Sequence, residues 1–368
     1  MTVPFRLFRY FGWQVLRTVL IATFAVACLI LLIDAVEMLR QYASKDKISG
    51  ITAIGLSLLK LPGLIEKVFP FIFLIGTMWT FSRLSRNHEL VVARASGVSV
   101  WGILLPAIIV AFLCGMVVVA LFNPVSAMTQ SRYAYYDATL LKGRGSTLAL
   151  SKNGLWMRQA VNGEQAVIHA LKAAGGGEDG VVLKDVIIWR FESGRRLPHE
   201  RLEAASAVLR PHHWELTEAW RSANGRPPEY FPAHVLPTNL TPERIEESFA
   251  PPETLSFWDL PAFIHTAEEA GFSATRYRLH WQKVLSTPFF LCAMVFVAAT
   301  FSLKSSRSGG MVRLVVAGAL TGFALFFVSD VASALGQSGV VPVALAAWSP
   351  TLVASLLGAT MLLHLEDG

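Results

Sequence analysis

The sequence predicts an α-helical membrane protein with six transmembrane helices and one inserted all-β domain. Of its 368 residues, 53% are hydrophobic and only 16% are charged, whereas soluble domains are about 25% charged. The charges are also bunched, so that several apolar stretches of helix length contain none. A long polar segment with strand-like patterning separates the first three apolar stretches from the last three.

Six spans can be placed from these stretches, because a bilayer core about 30 Å thick needs roughly 20 apolar residues in a helix. The spans lie at about 12–33, 61–83, 99–122, 283–303, 313–329 and 341–363. The second is the least regular, because it contains Pro62 and Pro70 and has Glu66 and Lys67 about one turn inside its start. The first has no small-residue cleavage site after it, which predicts a retained helix rather than a cleaved signal.

The lysines and arginines of the short loops predict the orientation of the chain. The first residues, the loop after the second span and the loop after the fourth are rich in arginine and lysine, with Glu89 as the one acid. The loop after the first span balances acids against bases, and the loop after the fifth has no lysine or arginine. We therefore expect both termini in the cytoplasm and the polar segment on the opposite side.

The polar segment is predicted to form an antiparallel β domain over residues 123–255, either a sandwich or a jellyroll. Short runs rich in β-branched and aromatic residues recur between turn signals. These runs are 147–150, 155–158, 166–170, 181–190, 204–209 and 213–217. Residues 1–122 then hold the first three spans. Residues 256–368 hold an amphipathic surface helix and the last three spans.

A short amphipathic helix is predicted at about 84–96, in the cytoplasmic loop between the second and third spans. Leu90, Ala93 and Gly97 share one helical face with Arg86, and Glu89 lies nearby. Two interpretations stay open. The helix either only joins two spans at the membrane surface, or it is a coupling helix that docks into a partner. In the second case the Glu89 carboxylate would seek a basic residue on that partner.

Charged residues gather where the first and third spans reach the far side of the membrane. The candidates for lipid contact are Glu37, Arg40, Lys45, Lys67 and Arg132. Basic residues beside a membrane commonly contact only lipid headgroups. The alternative is a site for an anionic amphiphile, with its acyl chains in the membrane and its phosphates against the cations.

The sequence supplies no catalytic or metal-binding motif. It contains no GxxxxGK[ST], HExxH or GxSxG pattern, and Cys28, Cys114 and Cys292 all lie in apolar stretches. The net charge of +6 comes largely from residues that flank spans, so nucleic-acid binding is not expected. A lipid-modifying membrane enzyme would need convergent nucleophiles or metal ligands, which the sequence does not offer. A receptor or scaffold whose β domain binds a ligand without transport remains an alternative.

Several motifs resemble the LptF/LptG permease family of the lipopolysaccharide-export ABC transporter, and its LptG members more than its LptF members. The strongest is the segment 89–97, ELVVARASG, which is similar to the family's ELVVMQASG. Weaker ones are Gly154-Leu155-Trp156, Asn239-Leu240-Thr241-Pro242, and Arg276-Tyr277 with Trp281 and Lys283. The likeness covers nearly the whole chain. The chain departs from the family at Asp34, because some members have a lysine there and another lysine near Gly63.

The resemblance implies a function and a set of partners. The chain would be a permease subunit that extracts lipopolysaccharide from a Gram-negative inner membrane and passes it to a periplasmic bridge. The β domain would be a periplasmic jellyroll. The partner at Glu89 would be a dimeric LptB-like ATPase, beside an LptF-like second permease and an LptC-like periplasmic jellyroll protein. ATP and magnesium would bind the ATPase, and this chain would hold no cofactor and catalyse no reaction.

Overall fold

The computed structural model describes residues 5–42, 50–137, 148–151, 154–161, 164–177, 180–192, 198–223, 227–238, 240, 249–269, 272–304 and 311–366. The chain divides into two compact units. The first, here the helical unit, comprises Met1–Tyr133, Ser256–Trp258 and Arg278–Gly368. The second, here the β unit, comprises Ala134–Leu255 and Asp259–Tyr277. The β unit therefore begins later than the predicted boundary at residue 123.

The helical unit is built from long helices that are apolar on most sides. In chain order they are α1 (Phe5–Tyr42), α2 (Gly50–Arg86), the short α3 (Glu89–Ala95), α4 (Val100–Val117), a π-helical turn (Val118–Phe122) and α5 (Asn123–Tyr136). After the β unit come α7 (Thr275–Lys304), α8 (Met311–Gln337) and α9 (Val343–Glu366). The segment from α4 through the π turn to α5 is one continuous helix. It extends about four turns past the predicted end of the third span.

Among the described residues, five helical segments are long and apolar enough to cross a membrane. They are Phe5–Gln41, Val100–Tyr136, Thr275–Ser302, Val316–Gln337 and Val343–His364. The chain is thus a membrane protein with several spanning helices. The predicted second span corresponds to α2, which is not in this set, and the prediction of six spans is not confirmed. Lys60, Glu66 and Lys67 interrupt the apolar character of α2.

The core of the helical unit joins α1, α2, α4 and α7. Its largest fully buried side chains include Phe11, Phe73, Phe81 and Leu104, and all four belong to one apolar cluster with residues of α7. Glycines allow close helix contacts around it. A methyl group on Gly115 of α4 would collide with the backbone of Pro288 in α7, so these two helices touch almost backbone to backbone.

The β unit contains a seven-stranded antiparallel sheet in which each strand pairs with its neighbours in sequence. The strands are β1 (Leu148–Ser151), β2 (Gly154–Val161), β3 (Glu164–Gly177), β4 (Gly180–Phe191), β5 (Glu200–Arg210), β6 (His213–Ala223) and β7 (Glu229–Pro237). Alternate side chains are buried, as the period of two requires for a sheet with one covered face. The predicted all-β character is observed.

The sheet curls so that its inner face is enclosed. The Gln159 side chain of β2 donates to the carbonyl of Pro237 at the end of β7, at 3.3 Å. It also accepts from the Thr238 hydroxyl at 2.5 Å. Strands that are five places apart in the sheet order therefore meet across the inner face. Trp214 and Leu216, on that face, are fully buried.

A crease runs across the middle strands. Asp185 in β4 (φ 54°) and Glu218 in β6 (φ 53°) have left-handed backbones, and the strand register aligns both with Ala205 of β5. At this line the spacing between successive buried residues changes from two to three. The pairs that span it are Leu183 and Val186, Ala204 and Ala207, and Leu216 and Ala219. The strands bend together here, which helps one sheet to cover its own face.

The jellyroll prediction is not confirmed, because the pairings among the described strands make an up-and-down order without the crossovers of a Greek key. The predicted amphipathic helix after the sheet is present as α6 (Leu260–Glu269). Its ring contact between Phe263 and Tyr277, at 4.6 Å between centroids, lies within the β unit.

Candidate functional site

The predicted cytoplasmic helix is shorter than expected and is separated from α2 by a sharp turn. α2 ends at Arg86, and α3 begins at Glu89. Between them, His88 has a left-handed backbone with φ 59°, which is uncommon for a residue with a side chain. This turn breaks the predicted helix over 84–96. Arg86 consequently lies at the end of α2 and does not share the face of α3.

The C-terminal end of α3 is closed by backbone hydrogen bonds. Gly97 has φ 85° and donates to the carbonyl of Arg94 at 3.0 Å. Val98 donates to the carbonyl of Ala93 at 3.1 Å. This pair of bonds is a Schellman motif, which glycine favours because it has no Cβ to strain in the left-handed conformation. Gly97 thus ends α3.

One face of α3 is anchored and the other is exposed. Leu90 and Ala93 are buried in the same apolar cluster as Phe11 of α1. Val91 and Val92, on the other side, are exposed large apolar residues. A helix that is held on one face and carries exposed valines on the other offers a surface for a second protein. Glu89 lies at its start, half-buried, and accepts a hydrogen bond from the Tyr10 hydroxyl at 3.0 Å.

The candidate residues for lipid contact are exposed and are spread over three helices. Glu37 and Arg40 lie near the end of α1, Lys67 lies on α2 and Arg132 lies on α5. Among the described residues no hydrogen bond or ion pair joins these four to one another, and Glu37 instead accepts from Gln41 at 3.0 Å. Lys45 lies outside the described residues.

A polar seam between α2 and α5 lies among these helices, and the sequence analysis missed it. Near one end, Lys60 forms an ion pair with Asp34 of α1 at 2.6 Å. The Lys60 ammonium also lies 5.9 Å from the centre of the Tyr133 ring. The lysine is therefore held by a carboxylate and an aromatic ring. One turn on, Gly63 lies against the Gln130 side chain, which a methyl group at this position would displace.

The other end of the seam is centred on Asn123. Its amide donates to Glu66 at 2.7 Å, and its oxygen accepts from the backbone of Phe257 at 2.7 Å. Next to it, the Trp258 indole donates to the carbonyl of Ala120 at 3.3 Å. Ala120 lies in the π turn, where the backbone departs from the regular α-helical hydrogen-bond pattern. The buried Asn123 thus attaches the segment Ser256–Trp258 to the helices.

The Lys60–Asp34 pair predicts a charge-exchange experiment. The two side chains are 29% and 11% exposed, so the pair is intermediate between a surface and a buried ion pair. A surface pair contributes about 0–1 kcal/mol, and breaking a buried pair costs about 3–5 kcal/mol. Asp34→Lys and Lys60→Asp should each lower the free energy of unfolding by about 1–3 kcal/mol, because each places like charges together. The double variant should recover at least half of the loss in detergent-solubilised thermal unfolding. Losses that simply add would contradict this contact.

The fold and these sites define a class of protein: a polytopic membrane protein with an inserted β unit and an exposed short helix in a loop between two long helices. The chain belongs to the LptF/LptG family of lipopolysaccharide export system permeases, whose sequence model matches residues 9–364. It is 27% identical to LptG of Escherichia coli K12 over 329 residues, which cover 88% of both chains. It is 24% identical to LptG of Haemophilus influenzae over 337 residues, 90% of both chains. The resemblance seen in the sequence is confirmed.

Proposed function

We propose that this chain is one permease half of a transporter that extracts lipopolysaccharide from the inner membrane and passes it to a periplasmic bridge. The observation that carries the proposal is α3. Its buried face fixes it to the helical unit through Leu90 and Ala93, while its exposed valines and the Glu89 carboxylate remain available to a second protein. A push on α3 would therefore move the helices against which it packs.

The partner at α3 is, in this proposal, an LptB-like ATPase dimer. Glu89 would pair with a basic residue of the ATPase, and Arg86 and Gly97 would border the contact, one at the end of α2 and the other at the end of α3. ATP and magnesium would bind in that partner, so this chain needs no cofactor. It would catalyse no bond chemistry of its own and would convert movement of the ATPase into movement of its spans.

The proposal includes α2 as a sixth span. Fifteen consecutive residues, 68–82, carry no charge and cover about 22 Å at 1.5 Å each. The long side chain of Lys67 can reach water from one end of this segment, and the Glu66 carboxylate is paired with Asn123. With six spans both termini would lie on one side of the membrane and the β unit on the other. The arginine-rich loops favour the cytoplasm for the termini and the periplasm of a Gram-negative cell for the β unit.

Two further partners are proposed. An LptF-like second permease would pack against exposed apolar surface of the helical unit, which includes Phe24 in α1 and Phe323 and Phe327 in α8. An LptC-like periplasmic jellyroll protein would extend the sheet. Support for this comes from β1 and β7, which end the strand order of the described sheet and so offer backbone groups to a further strand. In this proposal the lipid passes along a jellyroll-like path, of which the curled sheet forms one half and the LptC-like protein the other.

Lipopolysaccharide would meet the chain at the outer ends of α1, α2 and α5. Arg40, Lys67 and Arg132 are exposed there and would contact the lipid phosphates, together with Lys45 and with Glu37 as the acidic member. The Lys60–Asp34 pair lies among the same helices. Because Asp34 neutralises Lys60, the lipid phosphates would bind the exposed cations rather than Lys60.

The proposal is tested by lipid release from reconstituted vesicles. Vesicles that contain lipopolysaccharide and the purified complex of this chain should transfer lipid to a soluble periplasmic acceptor when ATP and magnesium are added, and not with ADP. Photo-crosslinking of lipid to the acceptor provides the measurement. A receptor or scaffold would bind lipid without any dependence on ATP, and that result would refute the transport proposal.

A further inference from the structure

Neutral donors hold the Glu89 carboxylate, and no cation among the described residues forms an ion pair with it. The Tyr10 hydroxyl donates to Oε2 at 3.0 Å, and the Asn87 amide donates to Oε1 at 3.2 Å. Tyr10 lies on α1, 79 positions earlier in the chain. Although Arg86 and Arg94 are close in sequence, Glu89 makes no ion pair within the part of the chain that the structure describes. Its negative charge is therefore oriented without being neutralised.

Such an arrangement suits a carboxylate that must receive a cation from another protein. The two oxygens of a carboxylate offer about four lone-pair sites, and one on each oxygen is used. The remaining sites can accept the paired N–H groups of a guanidinium. An arginine of this chain in place of Tyr10 would cancel the charge before a partner arrived, whereas a hydroxyl directs the carboxylate and leaves the charge in place.

The Tyr10 side chain extends from a part of α1 that is anchored in the apolar core. Its neighbour Phe11 is fully buried in the cluster that also holds Leu90 and Ala93, and the two rings of Tyr10 and Phe11 lie 5.9 Å apart. The start of α3 has less support of its own, because His88 makes no side-chain capping hydrogen bond. Tyr10 therefore supplies from α1 a constraint on Glu89 that the short α3 does not provide.

We infer that Tyr10 is a positioning residue that orients Glu89 toward a basic group of the docking ATPase and links α3 to the start of α1. This inference rests on the proposed coupling role of Glu89. Because α1 is a continuous helix from Phe5 to Tyr42, a displacement of α3 that pulls on Tyr10 also acts on the whole of α1. Tyr10 thereby links the loop that contains α3, which the ATPase would move, to a helix whose other end carries Asp34 and Arg40.

The test compares lipid released per ATP hydrolysed by complexes containing Tyr10→Phe, Glu89→Gln or both. Tyr10 is 42% exposed, so removing its hydroxyl leaves the packing intact. Tyr10→Phe should lower release per ATP about threefold to tenfold, the range expected for the net contribution of one typical hydrogen bond. The amount of assembled complex and its melting temperature should not change. Thr266→Val, which removes a hydroxyl hydrogen-bonded within α6 and outside the proposed contact surfaces, serves as the control.

The double variant separates positioning from an independent effect. If Tyr10 acts through Glu89, Tyr10→Phe with Glu89→Gln should be no worse than Glu89→Gln alone. Losses that multiply in the double variant, or a normal Tyr10→Phe complex beside a defective Glu89→Gln complex, would overturn the inference but leave the coupling proposal standing. A normal Glu89→Gln complex would overturn both.

Discussion

Replacing Glu89 with arginine is expected to abolish lipopolysaccharide export while the chain remains inserted in the membrane. The variant reverses the charge that the Tyr10 hydroxyl orients at 3.0 Å, so that a positive charge would face the basic group of the proposed ATPase partner. Loss of one member of a desolvated charge pair costs about 2–5 kcal/mol or more, and repulsion adds to that loss. Lipid release by the reconstituted complex should fall to background, and the ATPase should co-purify weakly or not at all.

The matched control is Glu253→Arg, which reverses an exposed charge in the short turn Pro252–Thr254 before α6. It should leave export unchanged, because surface substitutions away from special features usually alter stability by less than about 0.5 kcal/mol. Both variants should be found in the membrane fraction in equal amounts. Normal export by Glu89→Arg would contradict the coupling role of α3 and leave the exposed valines without a proposed partner.

Gly115→Ala is expected to be the most damaging single-methyl change in the helical unit. The added carbon would collide with the Pro288 backbone and lie 2.9 Å from its Cβ. Since Pro288 lies within α7, its backbone moves only if the helix moves. Overpacking of this kind costs about 1–3 kcal/mol and occasionally more. The purified variant should unfold at lower temperature and accumulate to lower levels.

Gly55→Ala gives the opposite expectation. Gly55 lies inside α2, and nothing lies within 4 Å of the added methyl group. Alanine is favoured over glycine in a helix by about 1 kcal/mol, so this variant should be neutral or slightly more stable. Equal melting temperatures for Gly115→Ala and Gly55→Ala, in the same detergent, would show that α4 and α7 do not touch at Pro288.

The helices of this protein follow closely from its sequence, because an apolar stretch of span length has few alternatives in a membrane. Spans one, three, four, five and six each coincide with a helix that is long and apolar enough to cross. What the sequence could not supply is the pairing of charges between helices. Lys60 and Asp34 are 26 positions apart, and only the packing of α1 on α2 brings them together.

The short helix α3 was predicted in position but not in shape, and its coupling role stays a proposal. The apolar spacing of Leu90 and Ala93 correctly marks the buried face, and Gly97 marks the end. The break before Glu89 depends on the left-handed backbone of His88. A histidine in the sequence does not predict that conformation. The contact with Tyr10 joins residues 79 positions apart, beyond the reach of local periodicity.

The β unit shows the same division between local and long-range information. Every predicted strand segment falls within an observed strand in the part that the structure describes, because the alternation of apolar residues is local. The seventh strand, Glu229–Pro237, was missed because Pro232 and its exposed side chains obscure the pattern. The closure of the sheet rests on Gln159 and Thr238, 79 positions apart, and no turn signal predicts it.

The composition of the complex purified from native membranes tests the central claim most directly. Native mass spectrometry of this chain, extracted in mild detergent, should find one copy of it with one copy of a different permease of similar size and two copies of an ATPase. The same preparation of Glu89→Arg should lose the ATPase and keep the second permease. A chain that is recovered alone, or only with copies of itself, would contradict its role as one half of a driven permease.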